Sequence, residues 1–389
     1  MTSATLLTQE GQAPRKVWLD CDPGHDDAIA LLLALYLDQI QLVGISSVNG
    51  NAPLVYTHAN AAQLLALYRA PKDLPLHRGL AKPLKKEYIH PPVSIHGHSG
   101  LDGVLHMPPL AHPSVRHWYD QFEPSTDSSD LDKNEPQTKE GDGTAVPALI
   151  AYLENSVPEG EKITVVITGP CTNIAAVRHL RPQLFDTKVD KVVIMGGAFD
   201  IPQWTPYAEF NIAVDPDALD ELLKSRNVGV VLVPLNVTHK AIFDRKTHAR
   251  LLDPSVTDLK EGDELPKPVS QLRESLSTML TFFRDAYANQ FGFTTGPPLH
   301  DALTIIHLTH PHLLKGRRGK LTVEISKTEK DGETSFSPSS EEKFSNLDLD
   351  SGEKAVESLV LEDLDVEAFF EVFLEVVERA DEVVAKVEM

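Results

Sequence analysis

The chain has 389 residues, of which 41% are hydrophobic, and its formal net charge is −21. A balance this acidic argues against nucleic acid and against an anionic membrane as partners, because both repel negative charge. No apolar run reaches the ~20 residues that a membrane-spanning helix needs, and the first fifteen residues show no secretory signal. The two cysteines, Cys21 and Cys171, cannot build a disulfide framework. These features predict a reducing compartment, the cytoplasm or alternatively the nucleus.

The first predicted element carries the most informative pattern in the chain. An apolar run at 17–19 is followed by the acidic stretch DCDPGHDD at 20–27, and then by apolar residues with helical spacing at 28–37. This order predicts a strand, a tight Pro-Gly turn and a helix. In open α/β sheets, ligands bind at the carboxyl ends of the strands. Four carboxylates this close raise one another's pKa unless a cation is present, and a hard divalent cation such as Ca²⁺ or Mg²⁺ suits oxygen ligands.

A simpler account of part of this stretch is helix capping. Asp26 and Asp27 stand at the predicted helix start, where acidic side chains interact favourably with the helix dipole. Capping explains one or two of the four carboxylates and leaves Asp20 and Asp22 unexplained. We therefore predict a metal site that is also the active site.

Further apolar strands alternate with helical patterns along the chain. The predicted strands are 40–48, 162–168, 191–195 and 228–235. Long helices are predicted at 268–289 and 365–386. Alternation of this kind predicts an α/β fold with an open, mostly parallel central sheet and helices on both faces. The polar segments that follow the strands would then meet at one edge of the sheet; they are 20–27, 49–51, 168–173, 195–198 and 236–239.

Two acidic segments interrupt the alternation, at about 122–143 and 327–357. Both are rich in Ser, Glu, Asp, Lys and Pro and poor in residues that build a core. This composition predicts solvated insertions, with a regulatory or partner-binding role as the less favoured alternative. We predict a single domain at 15–389 that carries both insertions, preceded by disordered residues 1–14.

Three other segments contain candidate site residues. His300 and Asp301 follow a Gly-Pro-Pro loop, which favours a fixed presentation over a plain helix cap. Glu209 and Asn211, separated by one aromatic residue, could bind vicinal hydroxyls, although an edge strand shows the same pattern. The glycine-rich loop at 95–100 carries two histidines without a third ligand at zinc-binding spacing, so a substrate loop is favoured over zinc.

Eight ordered segments together resemble the nucleoside hydrolase family of the inosine-uridine-preferring type. They are DCDPGHDDAIALLLAL (20–35), VNGNA (48–52), IHGHSG (95–100), TGPCTNIA (168–175), MGGAF (195–199), AEFNIAVDP (208–216), THKA (238–241) and LHDA (299–302). The match spans nearly the whole chain apart from the insertions, and it looks most like a fungal or other eukaryotic uridine nucleosidase. The resemblance implies a nucleoside hydrolase fold with a Rossmann-like core and a homodimer or homotetramer. The implied activity is Ca²⁺-dependent hydrolysis of the N-glycosidic bond of ribonucleosides in purine or pyrimidine salvage, with uridine favoured over inosine and cytidine.

The resemblance also implies a role for individual residues. The implied Ca²⁺ ligands are the carboxylates of Asp22, Asp27 and Asp301 and the main-chain carbonyl of Thr168. Asp22 would act as general base for the attacking water. His300 would act as general acid for the leaving base, since a histidine pKa near neutrality suits that task. The implied ribose contacts are Asp26, Asn51, Glu209 and Asn211, with Met195 lining the pocket. The residues implied around the base are His96, Phe210, Tyr287 and His300.

The chain departs from the family pattern in the loop before the AEFN segment. There the family usually offers an Asn to the ribose 5′-hydroxyl, and this chain has Gln203 and Trp204 instead. Gln203 is expected to replace that contact, or else Trp204 covers the site.

Two other functions compete with this one. In a haloacid-dehalogenase-type phosphatase, Asp20 would be the nucleophile and Asp22 the acid, but Pro-Gly follows the pair and the AEFN and HDA segments have no place in that scheme. A non-catalytic nucleoside-binding protein would require loss of Asp22 or His300, and both are present.

Overall fold

The computed structural model describes residues 13–87, 95–121, 143–201, 204–260, 262–345 and 357–386. Ten strands in these ranges form one sheet. They are β1 (Arg15–Cys21), β2 (Ile40–Ser47), β3 (Leu76–Arg78), β4 (Ile163–Ile167), β5 (Val189–Met195), β6 (Gly229–Val233), β7 (Leu314–Val323), β8 (Thr334–Pro338), β9 (Phe344–Ser345) and β10 (Ser358–Leu364).

The strand order is β3-β2-β1-β4-β5-β6-β10-β7-β8, and β9 pairs with β7. Neighbours from β3 through β10 run parallel, whereas β7 pairs antiparallel with β10, β8 and β9. The order reverses between β1 and β4, which is where doubly wound sheets bind their ligands. The predicted open, mostly parallel sheet is confirmed.

Thirteen α-helices and one 3₁₀ turn occur in the described residues. The helices are α1 (His25–Tyr36), α2 (Leu54–Leu67), α3 (Pro113–Tyr119), α4 (Ala145–Asn155), α5 (Thr172–Leu180), α6 (Pro182–Lys188), α7 (Phe210–Val214), α8 (Pro216–Leu223), α9 (Leu235–Thr238), α10 (Arg245–Leu252), α11 (Gln271–Phe291), α12 (Ala302–Thr309) and α13 (Val366–Ala385), and the 3₁₀ turn is Pro311–Leu313. The two long predicted helices correspond to α11 and α13. No helix among the described residues has the length and apolar content that a membrane crossing requires.

The sheet separates two hydrophobic clusters, because successive side chains of a strand point to opposite faces. In β1, Val17 and Leu19 join the cluster that contains α1, α2, α11, α12 and α13, whereas Trp18 joins the cluster that contains α4, α5, α6 and α8. Gly44 of β2 makes room for the Trp18 ring, since a Cβ at that position would lie 2.4 Å from it. The predicted placement of helices on both faces is confirmed.

Part of the second acidic segment does not match the prediction of a solvated insertion. Residues 334–338 form β8, which pairs with β7 and places Leu321 opposite Phe336. Thr334 is buried, and burial alternates along the strand. The sequence does not reveal this strand, because a five-residue edge strand has few inward-facing side chains and charged residues surround it. Residues 1–12, 122–142 and 346–356 lie outside the described residues, so the domain organisation remains a prediction.

Arg273 joins α13 to the rest of the helical layer and generates a stability prediction. Its guanidinium is buried, and it donates to the Leu251 carbonyl at 2.7 Å and to Asp381 at 2.8 Å, and it also pairs with Glu378. Replacing Arg273 with Met leaves the buried Leu251 carbonyl without this donor and breaks ion pairs with two carboxylates that are partly exposed, so we expect the free energy of unfolding to fall by about 2 kcal/mol. Urea denaturation followed by circular dichroism measures the change.

Arg250→Met is the matched control for that variant. Arg250 bridges Glu371 at the surface, where a paired arginine contributes about 1 kcal/mol or less. Equal losses for the two variants would show that Arg273 is not an anchor of α13.

Candidate active site

The polar segments that follow the central strands meet around one cavity, at the carboxyl ends of β1, β4 and β5. The cavity measures about 630 Å³ including its open mouth. Its lining residues are Asp26, Asn51, Ile95, His96, Thr168, Met195, Trp204, Glu209, Phe210, Asn211, Leu235, Tyr287, Gln290, Phe291, His300 and Asp301. Eleven of these are predicted site residues. Of the other predicted residues, Asp22 and Asp27 lie directly behind the wall, and Gln203 lies outside the described residues.

Buried carboxylates crowd one end of this cavity. Oxygens of Asp26, Asp27 and Asp301 lie within 4.8 Å of one another, and all three residues are buried. Burial, followed by the charge of Asp27, raises the pKa of Asp26 to about 8. Burial and the charge of Asp26 raise the pKa of Asp301 well above its ordinary value. The three carboxylates oppose one another's ionisation, which a bound cation would relieve.

Asp27 combines helix capping with a place in the acidic cluster. Its Oδ2 accepts a hydrogen bond from Gly24 N at 2.9 Å, which caps the start of α1. Its Oδ1 faces the other way and accepts from Thr168 Oγ1 at 2.7 Å and from Asp22 N at 3.3 Å. Capping therefore accounts for one oxygen of Asp27 and leaves the cluster to be explained.

Asp20 stands apart from the other acidic residues of this stretch. It lies inside β1, where it accepts hydrogen bonds from Asn173 Nδ2 at 2.8 Å and from the Ser46 hydroxyl. Burial raises its pKa to about 7. Asp20 thus ties β1 to β2 and α5, and it is not one of the three clustered carboxylates.

The donor set around the cluster fits a hard divalent cation. Asp22 Oδ2 accepts from Asn51 N at 2.7 Å, whereas its Oδ1 is buried and has no hydrogen-bond partner among the residues that the structure describes. The carbonyl of Thr168 lies at the cavity wall, where Asn211 Nδ2 donates to it at 2.8 Å. Every candidate ligand atom is an oxygen, as Ca²⁺ and Mg²⁺ prefer.

His300 also lines the cavity, and it is held through both ring nitrogens. Its Nδ1 lies 2.7 Å from Thr238 Oγ1, and its Nε2 lies 2.5 Å from the Tyr287 hydroxyl. Burial lowers the pKa of His300 well below its ordinary value, so the expectation of a pKa near neutrality is wrong. The sequence shows neither the burial of this histidine nor its partners, because α9 and α11 reach it only through tertiary packing.

His96 belongs to a pair of buried histidines that the sequence did not indicate. Its Nδ1 lies 3.2 Å from the backbone N of His25 and 3.1 Å from His25 Nδ1. The His96 ring also stacks on Phe283 with centroids 5.0 Å apart. Asp102 holds the glycine-rich loop, accepting from His98 N at 2.7 Å, and its carbonyl lies 3.0 Å from His25 Nε2. Burial lowers the pKa of His25 to about 4 and the pKa of His96 well below its ordinary value. Both histidines are therefore neutral.

Glu209 and Asn211 form the opposite wall, at the start of the short helix α7. Glu209 caps that helix by accepting from Asn211 N at 2.8 Å, and its Oε2 accepts from Gly197 N at 2.9 Å. Gly197 adopts a left-handed backbone with φ of +79°, which glycine tolerates. The alternative of an edge strand is wrong for this segment. Trp204 packs edge-on against Phe210 at the cavity mouth, with centroids 5.3 Å apart.

Four lining residues were not among the individual site residues predicted from the sequence. They are Ile95, Leu235, Gln290 and Phe291. Gln290 and Phe291 stand at the end of α11, far along the chain from every motif, and no local pattern marks them. Cys21 and Cys171 are free and buried, and burial raises the pKa of both thiols, in agreement with packing residues.

The cavity lies at the switch point of a doubly wound sheet and is lined by carboxylates and aromatic rings, which is typical of an enzyme that acts on a small polar molecule. Residues 17–371 match the family model described as inosine-uridine preferring nucleoside hydrolase. The chain belongs to this family and is an N-glycosyl hydrolase, which confirms the prediction from the sequence. The phosphatase alternative is not favoured.

Individual relatives agree with this assignment. The chain is 36% identical over 295 residues to the pyrimidine-specific ribonucleoside hydrolase RihA of Salmonella paratyphi C, covering 76% of this chain and 79% of the relative. Its fold is similar to the solved purine-preferring ribonucleoside hydrolase from Gardnerella vaginalis, with a TM-score of 0.69 at 24% identity over 95% of this chain and 100% of that one. The plant nucleoside hydrolase PpNRh1 also has a TM-score of 0.69, at 23% identity over 94% and 99% of the chains.

The carboxylate cluster should make stability depend on pH and on calcium. The pKa of Asp26 rises from 3.8 to about 8 on folding, so the folded protein binds a proton that the unfolded chain has released. Stability in a chelator should therefore fall as the pH rises from about 4 towards 8, because the unfolded state binds fewer protons in that window. Ca²⁺ should raise the unfolding midpoint and reduce this fall.

Thermal unfolding at several pH values, with chelator or with added CaCl₂, measures both effects. Asp301→Asn is the control, since it removes a clustered charge and should weaken the response to calcium. Stability that rises through this pH window in chelator would contradict the raised pKa.

Proposed function

We propose that this enzyme hydrolyses the N-glycosidic bond of ribonucleosides to ribose and free base, with Ca²⁺ as cofactor and uridine as the preferred substrate. The observation that carries the proposal is the position of the Asp26, Asp27 and Asp301 cluster, which shares one cavity with the polar wall of Glu209 and Asn211. The relatives named pyrimidine-specific support a pyrimidine base.

The cation would be held by the carboxylates of Asp22, Asp27 and Asp301 and by the carbonyl of Thr168. When bound, Ca²⁺ would supply positive charge that polarises the attacking water and orients ribose hydroxyls. The fit rests on oxygen donors alone and on the unpartnered Oδ1 of Asp22.

Asp22 is proposed as the general base. Its Oδ2 is fixed by the Asn51 backbone, so the carboxylate cannot rotate freely, and the carboxylate oxygen that does not bind the cation would accept a proton from the attacking water. Burial of Asp22 shields this transfer from bulk solvent. Fixed geometry of this kind is what an oriented general base requires.

Ribose hydroxyls are proposed to bind Asp26, Asn51, Glu209 and Asn211, with Met195 lining the floor. Cleavage builds positive charge on the sugar ring, and carboxylates fixed around the ring favour that charge. Asn211 is already held in place, since its amide donates to the Thr168 carbonyl at 2.8 Å and lies 3.4 Å from Met195 Sδ. A contact from Gln203 to the 5′-hydroxyl remains part of the proposal.

The leaving base is proposed to lie among His96, Phe210, Tyr287 and His300. A neutral His300 with its proton on Nε2 would donate to the Tyr287 oxygen, and its Nδ1 would accept from Thr238. This arrangement leaves the Tyr287 hydroxyl proton directed at the base. Tyr287 would give that proton to the leaving base, and the His300 Nε2–H would stabilise the remaining tyrosinate oxygen by a hydrogen bond. Cytoplasmic location and assembly as a homodimer or homotetramer remain predictions from the sequence.

Release of free ribose tests the proposed function. Purified enzyme is incubated with uridine, inosine, cytidine and 5′-UMP, with and without a calcium chelator. We expect ribose from the nucleosides, fastest from uridine, little from UMP, and loss of activity in chelator that Ca²⁺ restores. Asp22→Asn, which should lose activity by several orders of magnitude, separates this activity from a contaminant. Phosphate from UMP would support a phosphatase, and no product from any substrate would support a binding protein.

Substrates that differ in their leaving group test the roles of Tyr287 and His300. Tyr287→Phe and His300→Ala should each slow uridine hydrolysis by about 10²-fold or more, as expected when a proton donor is lost. Both variants should largely spare p-nitrophenyl riboside, because nitrophenolate leaves without a proton. Steady-state rates on the two substrates give the comparison. Equal losses on both would exclude protonation of the base as the role of this pair.

A further inference from the structure

The loop that follows β5 is held by a side chain from the second acidic segment. The Thr334 hydroxyl bonds to both backbone groups of Ala198, accepting from its N–H at 3.2 Å and donating to its carbonyl at 3.1 Å. The preceding residue, Gly197, donates its N–H to Glu209 Oε2 at 2.9 Å. Two consecutive residues of this loop therefore connect β8 to a side chain that lines the cavity.

The turn between β7 and β8 also packs on the other side of the Glu209 segment. At Gly332, whose φ is +92°, a Cβ would lie 3.1 Å from Ala208 Cβ and 3.1 Å from Ala213 Cα. Lys330 Nζ lies 5.0 Å from the centroid of the Tyr207 ring. The turn thus contacts the chain on both sides of Glu209, and Thr334 directly after it contacts the loop at Ala198.

The glycines leave the position of this loop to hydrogen bonds from neighbouring elements. Leu235 N donates to the Gly197 carbonyl at 3.0 Å, Asn236 bonds both backbone groups of Phe199, and Thr334 bonds those of Ala198 between them. Gly196 and Gly197 have φ values of +158° and +79°, and glycine restricts its own backbone less than any other residue. The remaining backbone donors to Glu209 that we observe come from the start of α7, so Gly197 is the link between Glu209 and the β5 loop. Fixing Ala198 limits the movement of Gly197, and this in turn fixes the Glu209 carboxylate.

We propose that Thr334 is a positioning residue of the ribose subsite, acting through Ala198 and Gly197 on Glu209. This inference rests on the proposed function, since it assigns Glu209 to the sugar. Under this proposal β8, which lies within the second acidic segment, contributes to substrate binding. Thr334 touches no substrate, and its hydroxyl determines where Glu209 meets the ribose.

Thr334→Val tests the proposal, because it exchanges the hydroxyl for a methyl group of similar size. We expect KM for uridine to rise about tenfold while kcat stays within about twofold, since the lost geometry weakens sugar binding. Thr334→Ser, which keeps the hydroxyl, should restore KM to near the wild-type value. Thr322→Val is the matched control: Thr322 is an exposed residue of the neighbouring β7, and its substitution should leave both constants unchanged.

A double-mutant cycle with Glu209→Ala tests the route of the effect. If Thr334 acts through Glu209, Thr334→Val should change KM by less than about twofold once Glu209 is absent. An undiminished effect in the Glu209→Ala background would overturn the proposal. So would a wild-type KM in Thr334→Val, or a Thr334→Ser variant as impaired as Thr334→Val.

Folding and activity controls separate the remaining outcomes. A lowered kcat with unchanged KM and a lowered unfolding midpoint would assign Thr334 to stability alone. Thr334→Ala is a second variant without the hydroxyl, and if neither it nor Thr334→Val folds, the residue is structural and the proposal fails. Wild-type enzyme that releases no ribose from any nucleoside would defeat the proposed function itself, which is distinct from an active enzyme that is insensitive to Thr334.

Discussion

Mutual repulsion among buried carboxylates is the constraint on which the rest of the site depends. Burial is the main cause of the raised pKa of Asp22, Asp26 and Asp301, and in each case the charge of a neighbouring aspartate adds to it. The cavity lining in the described residues includes no lysine or arginine that could compensate this charge. The histidines there are neutral, because burial lowers the pKa of His96 and His300. A hard divalent cation bound to these oxygens would compensate the charge, which is why the cluster supports the proposed metal site.

The fold makes this crowding tolerable by fixing the donors that surround the cluster. β1 lies within the sheet and is covered by helices on both faces, so the turn at Gly24 begins from a rigid strand. The N-terminus of α1 then points its free N–H groups and its dipole at the carboxylates, as Gly24 N does for Asp27. Thr168, at the end of β4, contributes its hydroxyl to the same residue. The reversal of strand order between β1 and β4 leaves the open crevice that these groups share.

The cavity combines clustered acidic groups with aromatic rings and neutral histidines. These groups lie close together, since His96 Nε2 is 3.9 Å from Asp26 Oδ1. His300 shows how a histidine in this cavity stays neutral. With Thr238 on one nitrogen and Tyr287 on the other, its proton is placed by hydrogen bonds, and its low pKa keeps it from pairing with the carboxylates as a cation.

The sequence by itself determined the α/β class, the positions of several main strands along the chain and the acidic turn, because these depend on local periodicity and on residue types that are close along the chain. The position of Asp22 and Asp27 around a Pro-Gly turn belongs to this group, and so do the long helices α11 and α13. Only the tertiary structure decided three other features. They are the partners of His300 and His96, the burial that makes these histidines neutral, and the presence of Gln290 and Phe291 in the cavity. Each comes from a segment that is distant along the chain, and pKa values depend on solvent exclusion that no local pattern encodes. β8 is the clearest case: its composition suggests a solvated loop, and only pairing with β7 turns it into a strand that buries Thr334 beside the site.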